Sequence, residues 1–358
     1  RIFRRMSIGI DIGRYQIKIV QIQKTPKGYT LQNFGMEPVF DRAKGYDPER
    51  LDEATIIAAA VRLMTRMKIS PRRVKTLTTG LSNQQSSIRQ MKMMNTDDEE
   101  ELSSALQFEA RKHIPMDGTD ALMDYQILGE DTKEMDKLNV LLVASTQRNL
   151  ENHLKMIKNF GLRPGIVDSE AIAMANSYVI EHGLPEDGAN VFLNIGAVSS
   201  TLVVWGRQAP FFTRDIQIGG HHFTKELVEK REIGYTEAEA VKCDPEFNEL
   251  SQKLAGTEQK DFTVSVAEHT IYDNLVDEIR RSLRFYIKES NESYFHKILL
   301  VGASTSIKEL DTFISSRLNV PAEVYNPMAQ LHHDMHGDIK DHGAYAVAIG
   351  YAMRGLLE

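Results

Sequence analysis

Three residues near the start of the chain, Asp11, Gly13 and Lys18, have the types and the spacing to hold a polyphosphate. The runs Ser7–Asp11 and Tyr15–Gln23 predict two strands joined by a tight turn at Gly13. Glycine lets phosphate approach the backbone N–H groups of such a turn closely. Asp11 could hold Mg²⁺ through water, and the Lys18 ammonium could reach phosphate oxygens from the second strand. A plain hairpin with an exposed Asp and Lys remains the alternative.

A second segment, Asn190–Trp205, repeats this pattern. When the glycines are aligned, Asn194 takes the place of Asp11 and Gly196 the place of Gly13, and both pairs are 183 residues apart. Such self-similarity predicts two domains built on one plan. If the two turns face each other across a cleft between the domains, both present backbone N–H groups to a single ligand.

The remaining pattern predicts an α/β fold that positions these turns. Between Ser87 and Phe160 the order is strand, helix, strand, strand, helix, which reads as an inserted block. We expect these boundaries: a first domain over 1–86, to which 165–188 and the C-terminal helix 343–358 return, an insert over 87–164, and a second domain over 189–342.

Local signals predict five helices in the second half, of which two cover Phe223–Arg231 and the segment that ends at Leu318. Thr236 and Glu239 have the spacing of a capping box, which starts a helix over Tyr235–Cys243. Apolar residues on one face predict a long amphipathic helix over Ala267–Glu289. Small residues dominate the last predicted helix, Gly343–Leu357.

Composition narrows the function classes. The chain has 358 residues, 43 Lys and Arg against 50 Asp and Glu, a net charge of −7 and one cysteine, Cys243. A single cysteine allows neither an intramolecular disulfide nor a zinc site built from cysteines, which favours a reducing compartment such as the cytoplasm. The acidic balance gives no general field for nucleic acid, so no nucleic-acid partner is expected. No apolar run approaches the roughly 20 residues of a membrane span.

Further motifs accompany the two turns. A buried-type strand ends at Gly302-Ala303-Ser304, and Glu239 and Lys242 lie three residues apart on a predicted helix. Together these motifs resemble the actin/Hsp70/sugar-kinase superfamily. The resemblance implies an actin-like, duplicated RNase H-like fold whose central cleft binds ATP or ADP with Mg²⁺. The residues that it assigns to the nucleotide are Asp11 (also Mg²⁺, through water), Gly13, Arg14, Lys18, Asn194, Gly196, Ala197, Gly219, Gly220, Glu239, Lys242, Gly302, Ala303 and Ser304.

The insert and several short motifs narrow the resemblance. Phe108–Pro115, Gly161–Pro164 with Asp168 and Glu170, and Ile218–Gly220 are similar to the PilM family of type IV pilus assembly. Residues 87–164 lie where PilM and FtsA place their 1C subdomain. This implies a cytoplasmic scaffold, peripheral to the inner membrane, in the platform behind twitching motility. The implied partner is the cytoplasmic N-terminal segment of PilN, bound between the first domain and the insert. Self-association, contacts with other pilus assembly proteins and only indirect membrane contact are implied as well.

Three departures from the superfamily pattern bear on activity. Arg14 replaces the small hydroxyl residue that usually follows the first glycine, so its guanidinium either clamps phosphate or fills part of the pocket. Asn194 replaces an acid, and an amide cannot act as a carboxylate base. Gly302 stands alone where two glycines are common. We therefore expect nucleotide binding with at most weak ATP hydrolysis.

Two alternatives stay open. A polymerising, FtsA-like division protein normally ends in a linker and an amphipathic membrane helix, whereas this chain stops at Glu358, where a removed tail would escape notice. A small-molecule kinase of the same superfamily needs a carboxylate that accepts the substrate proton. Asp11 is better used on Mg²⁺, and Asn194 cannot replace it.

Overall fold

The computed structural model describes residues 5–96, 98–113, 121–258, 269–333, 339 and 341–357. The strands of this part of the chain are β1 Met6–Ile12, β2 Gln16–Thr25, β3 Gly28–Pro38, β4 Leu77–Leu81, β5 Ser86–Met94, β6 Ala121–Glu130, β7 Lys137–Thr146, β8 Ile166–Ser169, β9 Ala189–Ile195, β10 Ser200–Trp205, β11 Phe212–Ile216, β12 Phe295–Val301 and β13 Ala322–Val324. The helices are α1 Glu53–Arg66, α2 Glu99–His113, α3 Gln147–Asn159, α4 Glu170–His182, α5 Gly220–Arg231, α6 Tyr235–Lys242, α7 Glu249–Glu258, α8 Ile271–Ser290, α9 Leu310–Leu318 and α10 Ala346–Arg354.

Two five-stranded sheets have the same topology. Their strand orders are β3-β2-β1-β4-β8 and β11-β10-β9-β12-β13. In each sheet an antiparallel three-stranded meander is followed by two parallel strands. The two halves of the chain are therefore built on one plan, as the internal repeat predicts.

The insert forms a third, antiparallel sheet in the order β5-β7-β6. Helix α2 covers one face through Leu102 and Leu106, which pack with Leu138 and Val140 of the central strand. Helix α3 begins at the side-chain cap of Thr146 and packs Ile157 into the core of the first sheet. Helix α3 thus anchors the insert to the first domain. Strand β6 is an edge strand of the insert's sheet, and among the described residues it pairs only with β7.

Two helices, α4 and α10, cross between the sheets at very short range. A Cβ on Gly350 of α10 would lie 1.9 Å from the Ala173 carbonyl oxygen of α4, and a Cβ on Gly9 of β1 would lie 2.0 Å from the Ala348 carbonyl oxygen. Only glycine permits these approaches. The small residues of the last helix therefore bring its side chains close to the ends of the strands that carry the first turn.

Several sequence predictions about helices were wrong. The capping box at Thr236 does not form, because α6 begins at Tyr235 with Gly234 as its N-cap and no side-chain cap. Helix α8 begins at Ile271, where Thr270 and Asp273 form the capping box; the expected start at Ala267 lies outside the described residues.

Other differences concern helix extent. The last helix is α-helical only over Ala346–Arg354, after a 3-10 turn at His342–Tyr345. Helices α4 and α7 were not predicted at all. Ile114 and Pro115 of the PilM-like segment lie outside the described residues. Among the helices that the structure describes, none combines the length and the apolar character that a bilayer crossing needs.

Candidate functional site

A cavity of about 580 Å³ lies between the two five-stranded sheets and is lined by both glycine turns. The structure brings most of the proposed nucleotide-binding residues to this one cavity. Those that line it are Asp11, Gly13, Arg14, Lys18, Asn194, Gly196, Ala197, Gly220, Glu239, Lys242, Gly302, Ala303 and Ser304.

The first turn carries an ion pair at the cavity wall. Asp11 and Lys18 are direct partners in the β1–β2 ladder, and the Lys18 ammonium donates to Asp11 Oδ2 at 2.8 Å. Only 13% of the Asp11 side chain and 14% of the Lys18 side chain are exposed. A Cβ on Gly13 would lie 2.7 Å from the Gln16 carbonyl oxygen, so the turn requires glycine. The pair is shielded enough for its charges to act strongly on a ligand.

The second turn has the same backbone and different side chains. Asn194 faces Thr201 in the β9–β10 ladder, which is the register of Asp11 and Lys18 shifted by 183 residues. A Cβ on Gly196 would lie 2.7 Å from the Ser199 carbonyl oxygen, the same clash as at the first turn. The second turn therefore offers backbone groups and neutral side chains where the first offers charges.

A carboxylate that sequence motifs alone did not assign to the site lies beside Asn194. Glu170, the first residue of α4, accepts a hydrogen bond of 3.1 Å from Asn194 Nδ2 and lines the cavity. Burial raises the pKa of its carboxyl group to about 7, and the negative charge of Asp11 adds to the increase. An acid is thus present at the second turn, although it comes from a different segment. Its only sequence signal was its place in the PilM-like pattern.

A third carboxylate, Asp215, also lines the cavity. Its Oδ1 accepts hydrogen bonds from Asn83 Nδ2 at 3.1 Å and from Thr201 Oγ1 at 3.3 Å. Burial raises the pKa of this carboxyl group. The sequence signal that points to Asp215 is weak, because Asp215 is one of three consecutive polar residues in a short edge strand.

The start of α5 is fixed to the second turn by short backbone contacts. The Gly220 N–H donates to the Gly196 carbonyl at 2.9 Å, and the His221 N–H donates to the Ala197 carbonyl at 2.7 Å. Gly219 does not line the cavity. A Cβ there would lie 2.6 Å from the Gly196 carbonyl oxygen, so this glycine allows the helix to pack behind the turn.

Lys242 and Glu239 of α6 form a buried polar group under the cavity. The Lys242 ammonium donates to Glu239 Oε2 at 2.7 Å, to Thr224 Oγ1 at 2.8 Å and to the Gly220 carbonyl at 3.2 Å. Because these three contacts match the three N–H donors of an ammonium, Lys242 ties α6 to the start of α5. The capping role expected for Glu239 is replaced by this pairing.

The turn after β12 forms the end of the cavity next to the second turn. Gly302 has φ +99°, a left-handed conformation that disfavours other residues, and a Cβ there would lie 2.4 Å from the Ile195 carbonyl oxygen. Ala303 and Ser304 follow in a 3-10 turn. This end is therefore smooth, small and suited to a flat apolar group.

An aromatic cluster closes one side of the cavity. Tyr15 and Tyr46 of the first domain lie 4.8 Å apart between ring centroids, and Tyr46 lies 5.7 Å from His221 and 5.9 Å from Tyr235 of the second domain. The Arg14 guanidinium donates to the Pro48 carbonyl at 2.6 Å beside this cluster. Arg14 thus holds the 40–50 loop against the first turn.

The donor set suits a nucleotide with Mg²⁺ better than a metal bound by protein alone. Within the described residues no group of three or more His, Cys, Asp or Glu side chains could hold a metal ion. Asp11 nevertheless supplies a carboxylate oxygen beside a turn whose glycine leaves room for phosphate. Mg²⁺ usually combines one or two carboxylates with phosphate oxygens and water, which fits this arrangement.

The duplicated sheets, the crossing helices and the central cavity define an actin-like, two-domain fold, as predicted. Residues 9–356 match the family of type IV pilus assembly protein PilM, so the chain belongs to the PilM family. The chain resembles the structure of the PilM–PilN type IV pilus biogenesis complex with a TM-score of 0.78 and 22% identity over 99% of both chains. It resembles ethanolamine utilization protein EutJ from Carboxydothermus hydrogenoformans with a TM-score of 0.52 and 14% identity over 98% of this chain and 89% of that one.

Proposed function

We propose that this PilM-family protein is a scaffold that binds ATP or ADP with Mg²⁺ in the central cavity. The observation that carries the proposal is that two glycine turns with the same strand register, one of them with the Asp11–Lys18 pair, open into one cavity. The base and ribose would lie at Gly302–Ser304, over α6, and the phosphates would extend toward the two turns. When bound, Mg²⁺ would neutralise phosphate charge beside Asp11.

Nucleotide titration tests this proposal. We expect ATP and ADP to bind the wild-type protein with Mg²⁺ and Asp11→Ala to lower the affinity strongly, because the carboxylate that faces Mg²⁺ is lost. Thermal melting checks that the variant is folded. Absence of binding at millimolar nucleotide, or an unchanged affinity in Asp11→Ala, would contradict the proposal.

Weak hydrolysis fits the acidic groups of the site. Asn194 cannot remove a proton from water, but Glu170 lies beside it and its pKa is raised into the neutral range. A small-molecule kinase remains the second candidate for the same reason, since a carboxylate of this kind can accept a hydroxyl proton. Turnover assays with ATP alone and with sugars or short acids separate slow hydrolysis from phosphoryl transfer.

The partner that we propose is the cytoplasmic N-terminal segment of PilN. The resemblance to a PilM–PilN complex supports this partner. We propose the edge of the insert's sheet as its binding surface, in place of the surface between the first domain and the insert that the resemblance implied. In the described part of the chain β6 pairs only with β7, and Leu122, Ile127 and Leu128 along it are exposed. An added strand would gain main-chain hydrogen bonds there and pockets for alternate side chains.

A pull-down with the PilN peptide, with ATP, with ADP and without nucleotide, tests this surface. We expect Ile127→Asp to reduce capture at least tenfold, because a charge would enter the apolar contact. Met135→Asp is the matched control, since Met135 is 83% exposed in the adjoining loop and off the strand edge. Equal capture by both variants would place the peptide elsewhere, and no capture by any form would refute the partner.

Cytoplasmic location next to the inner membrane follows from this proposal, with membrane contact through PilN. An FtsA-like polymer bound to lipid directly would instead sediment with vesicles and ATP in the absence of PilN. We expect no such sedimentation.

A further inference from the structure

A tyrosine of the last helix reaches the floor of the cavity. Tyr351 lies on α10 and is only 2% exposed, packed among small residues of α4 that include Ala171 and Ala173. It nevertheless lines the cavity together with Gly80, Asp11 and Glu170. None of the nucleotide-binding motifs found in the sequence includes this position.

Gly80 makes room for the hydroxyl of Tyr351. A Cβ on Gly80 would lie 2.2 Å from the Tyr351 hydroxyl oxygen and 2.7 Å from the Asp168 carbonyl oxygen. Gly80 pairs with Asp168 in the β4–β8 ladder. The hydroxyl thus lies against the sheet at the one residue of β4 without a side chain, and the buried packing of the ring holds it there.

Negative charge surrounds this hydroxyl. Burial, followed by the charges of Glu170, Asp11 and Asp168, raises the pKa of Tyr351 well above its usual value of 10. The phenol therefore keeps its proton at neutral pH and acts as a hydrogen-bond donor.

A phosphate group at this floor needs such a donor. The carboxylates of Asp11 and Glu170 repel an anion, and the nearby Lys18 ammonium shares its charge between the phosphates and Asp11, which lies 2.8 Å from it. If the nucleoside lies at Gly302, the phosphate chain runs toward Asp11 and its last member arrives beside Tyr351.

We propose that the Tyr351 hydroxyl donates a hydrogen bond to the terminal phosphate of ATP and so makes the cavity prefer ATP over ADP. This inference rests on the proposed nucleotide binding and assigns a residue that determines specificity. Because ADP ends one phosphate short of this position, the hydroxyl contributes to the binding of ATP alone.

The test compares the affinities for ATP and ADP, each with Mg²⁺, in wild-type protein and in Tyr351→Phe. Losing one hydrogen bond from a neutral donor should weaken ATP binding about fivefold and leave ADP binding within twofold. The ratio of the two affinities is an internal standard, because a general loss of stability lowers both together.

Two further variants secure the result. Tyr272→Phe is the matched control, since Tyr272 is a buried tyrosine of the second-domain core whose hydroxyl has no hydrogen-bond partner among the described residues; it should leave the ratio unchanged. Gly80→Ala displaces the Tyr351 hydroxyl from the other side and should also lower ATP affinity selectively.

The outcomes separate this inference from the proposed function. Wild-type protein that binds neither nucleotide refutes both. Wild-type protein that binds nucleotide, with an ATP-to-ADP ratio that Tyr351→Phe leaves unchanged, overturns only the assignment of Tyr351. A selective loss of ATP affinity in Tyr351→Phe supports it, whatever the yield of Gly80→Ala.

Discussion

The two glycine turns share a backbone and differ in their side chains. Both glycines avoid a clash at the same 2.7 Å with the carbonyl three residues on, and both strand pairs have the same register. At the paired position the first turn carries Asp11 with Lys18, and the second carries Asn194 with Thr201. The two turns therefore share their backbone geometry but differ in the side chains that they present.

The charge that the second turn lacks is supplied by other segments. Glu170 contacts Asn194 from the start of α4, and Asp215 contacts Thr201 from the neighbouring strand. Both carboxyl groups are partly withdrawn from water, which raises their pKa values. The first turn thus carries a fixed ion pair, whereas the second is flanked by acids whose pKa values are raised toward neutral pH.

We expect the largest loss of ATP affinity when Lys18, the partner of Asp11 at the first turn, is replaced. Lys18→Ala should weaken ATP binding about 100-fold, roughly 3 kcal/mol, because it removes a shielded ammonium and leaves Asp11 without its partner. Thr201→Ala at the equivalent place should change the affinity less than threefold. Calorimetric titration of both variants measures the difference directly. Similar losses in the two variants would mean that the turns are functionally equivalent.

Replacement of either turn glycine should weaken ATP binding by a smaller amount, and by the same amount at both turns. Gly13→Ala and Gly196→Ala each place a methyl carbon 2.7 Å from a backbone oxygen, so each turn must open and misalign its N–H groups. We expect about a tenfold loss of ATP affinity and a Tm lower by about 3–6 °C in both.

Gly234→Ala controls for the loss of a glycine, since nothing lies within 4 Å of a Cβ there. It should leave ATP affinity unchanged. A loss at only one of the two turns would show that a single domain holds the phosphates.

Local pattern was enough to predict the turns and most strands. Apolar alternation marks β1, β2, β9 and β10, and the glycine spacing marks the turns, because each feature is set by neighbouring residues. Helix α4 was missed because its sequence is small and apolar around much of its surface, as expected for a helix buried between α10 and the sheets.

Side chains that arrive from distant segments could not be predicted in the same way. Tertiary contact brings Glu170, Asp215 and Tyr351 to the cavity, and no spacing in the sequence records it. Glu239 shows the reverse case. It has the spacing of a capping box with Thr236, but the box does not form, and its carboxylate pairs with the buried Lys242 ammonium instead. Neighbouring residues determine the backbone of the site, whereas its charged and polar side chains come from distant segments of the chain.

Making the second turn resemble the first should produce a pH-dependent defect. Asn194→Asp puts a carboxylate beside Glu170 and removes the N–H donor that Glu170 accepts from. The Glu170 pKa should then rise further. We expect about a fivefold weaker ATP affinity at pH 9, where both groups lose their protons, and nearly wild-type affinity at pH 6, where Glu170 holds a proton.

Asn194→Ala separates the two contributions in that experiment, because it loses the N–H donor without adding charge. Its ATP affinity should vary with pH as in the wild type. A defect in Asn194→Asp that is equal at both pH values would contradict the coupling between Glu170 and the second turn.

The smallest predicted effect is a change in Tm, and it comes from the free energy that the partly buried, ionised Glu170 costs the folded protein. Its folded-state pKa is raised from 4.5 to about 7, so the folded protein holds this proton more tightly than the unfolded chain does. Ionisation of Glu170 therefore does not lower the free energy of unfolding below about pH 4.5. As the pH rises from there through about 7, the folded protein loses stability relative to the unfolded chain. Glu170→Gln should melt about 1–2 °C above wild type at pH 8 and at the same temperature at pH 5.

Glu181→Gln, on the exposed part of the same helix, is the control and should melt with the wild type at both pH values. If Glu170→Gln lowers the Tm at pH 8, the carboxylate is stabilised by a charge partner. In that case the second turn, like the first, would be built on an ion pair, and the contrast between the two turns would disappear.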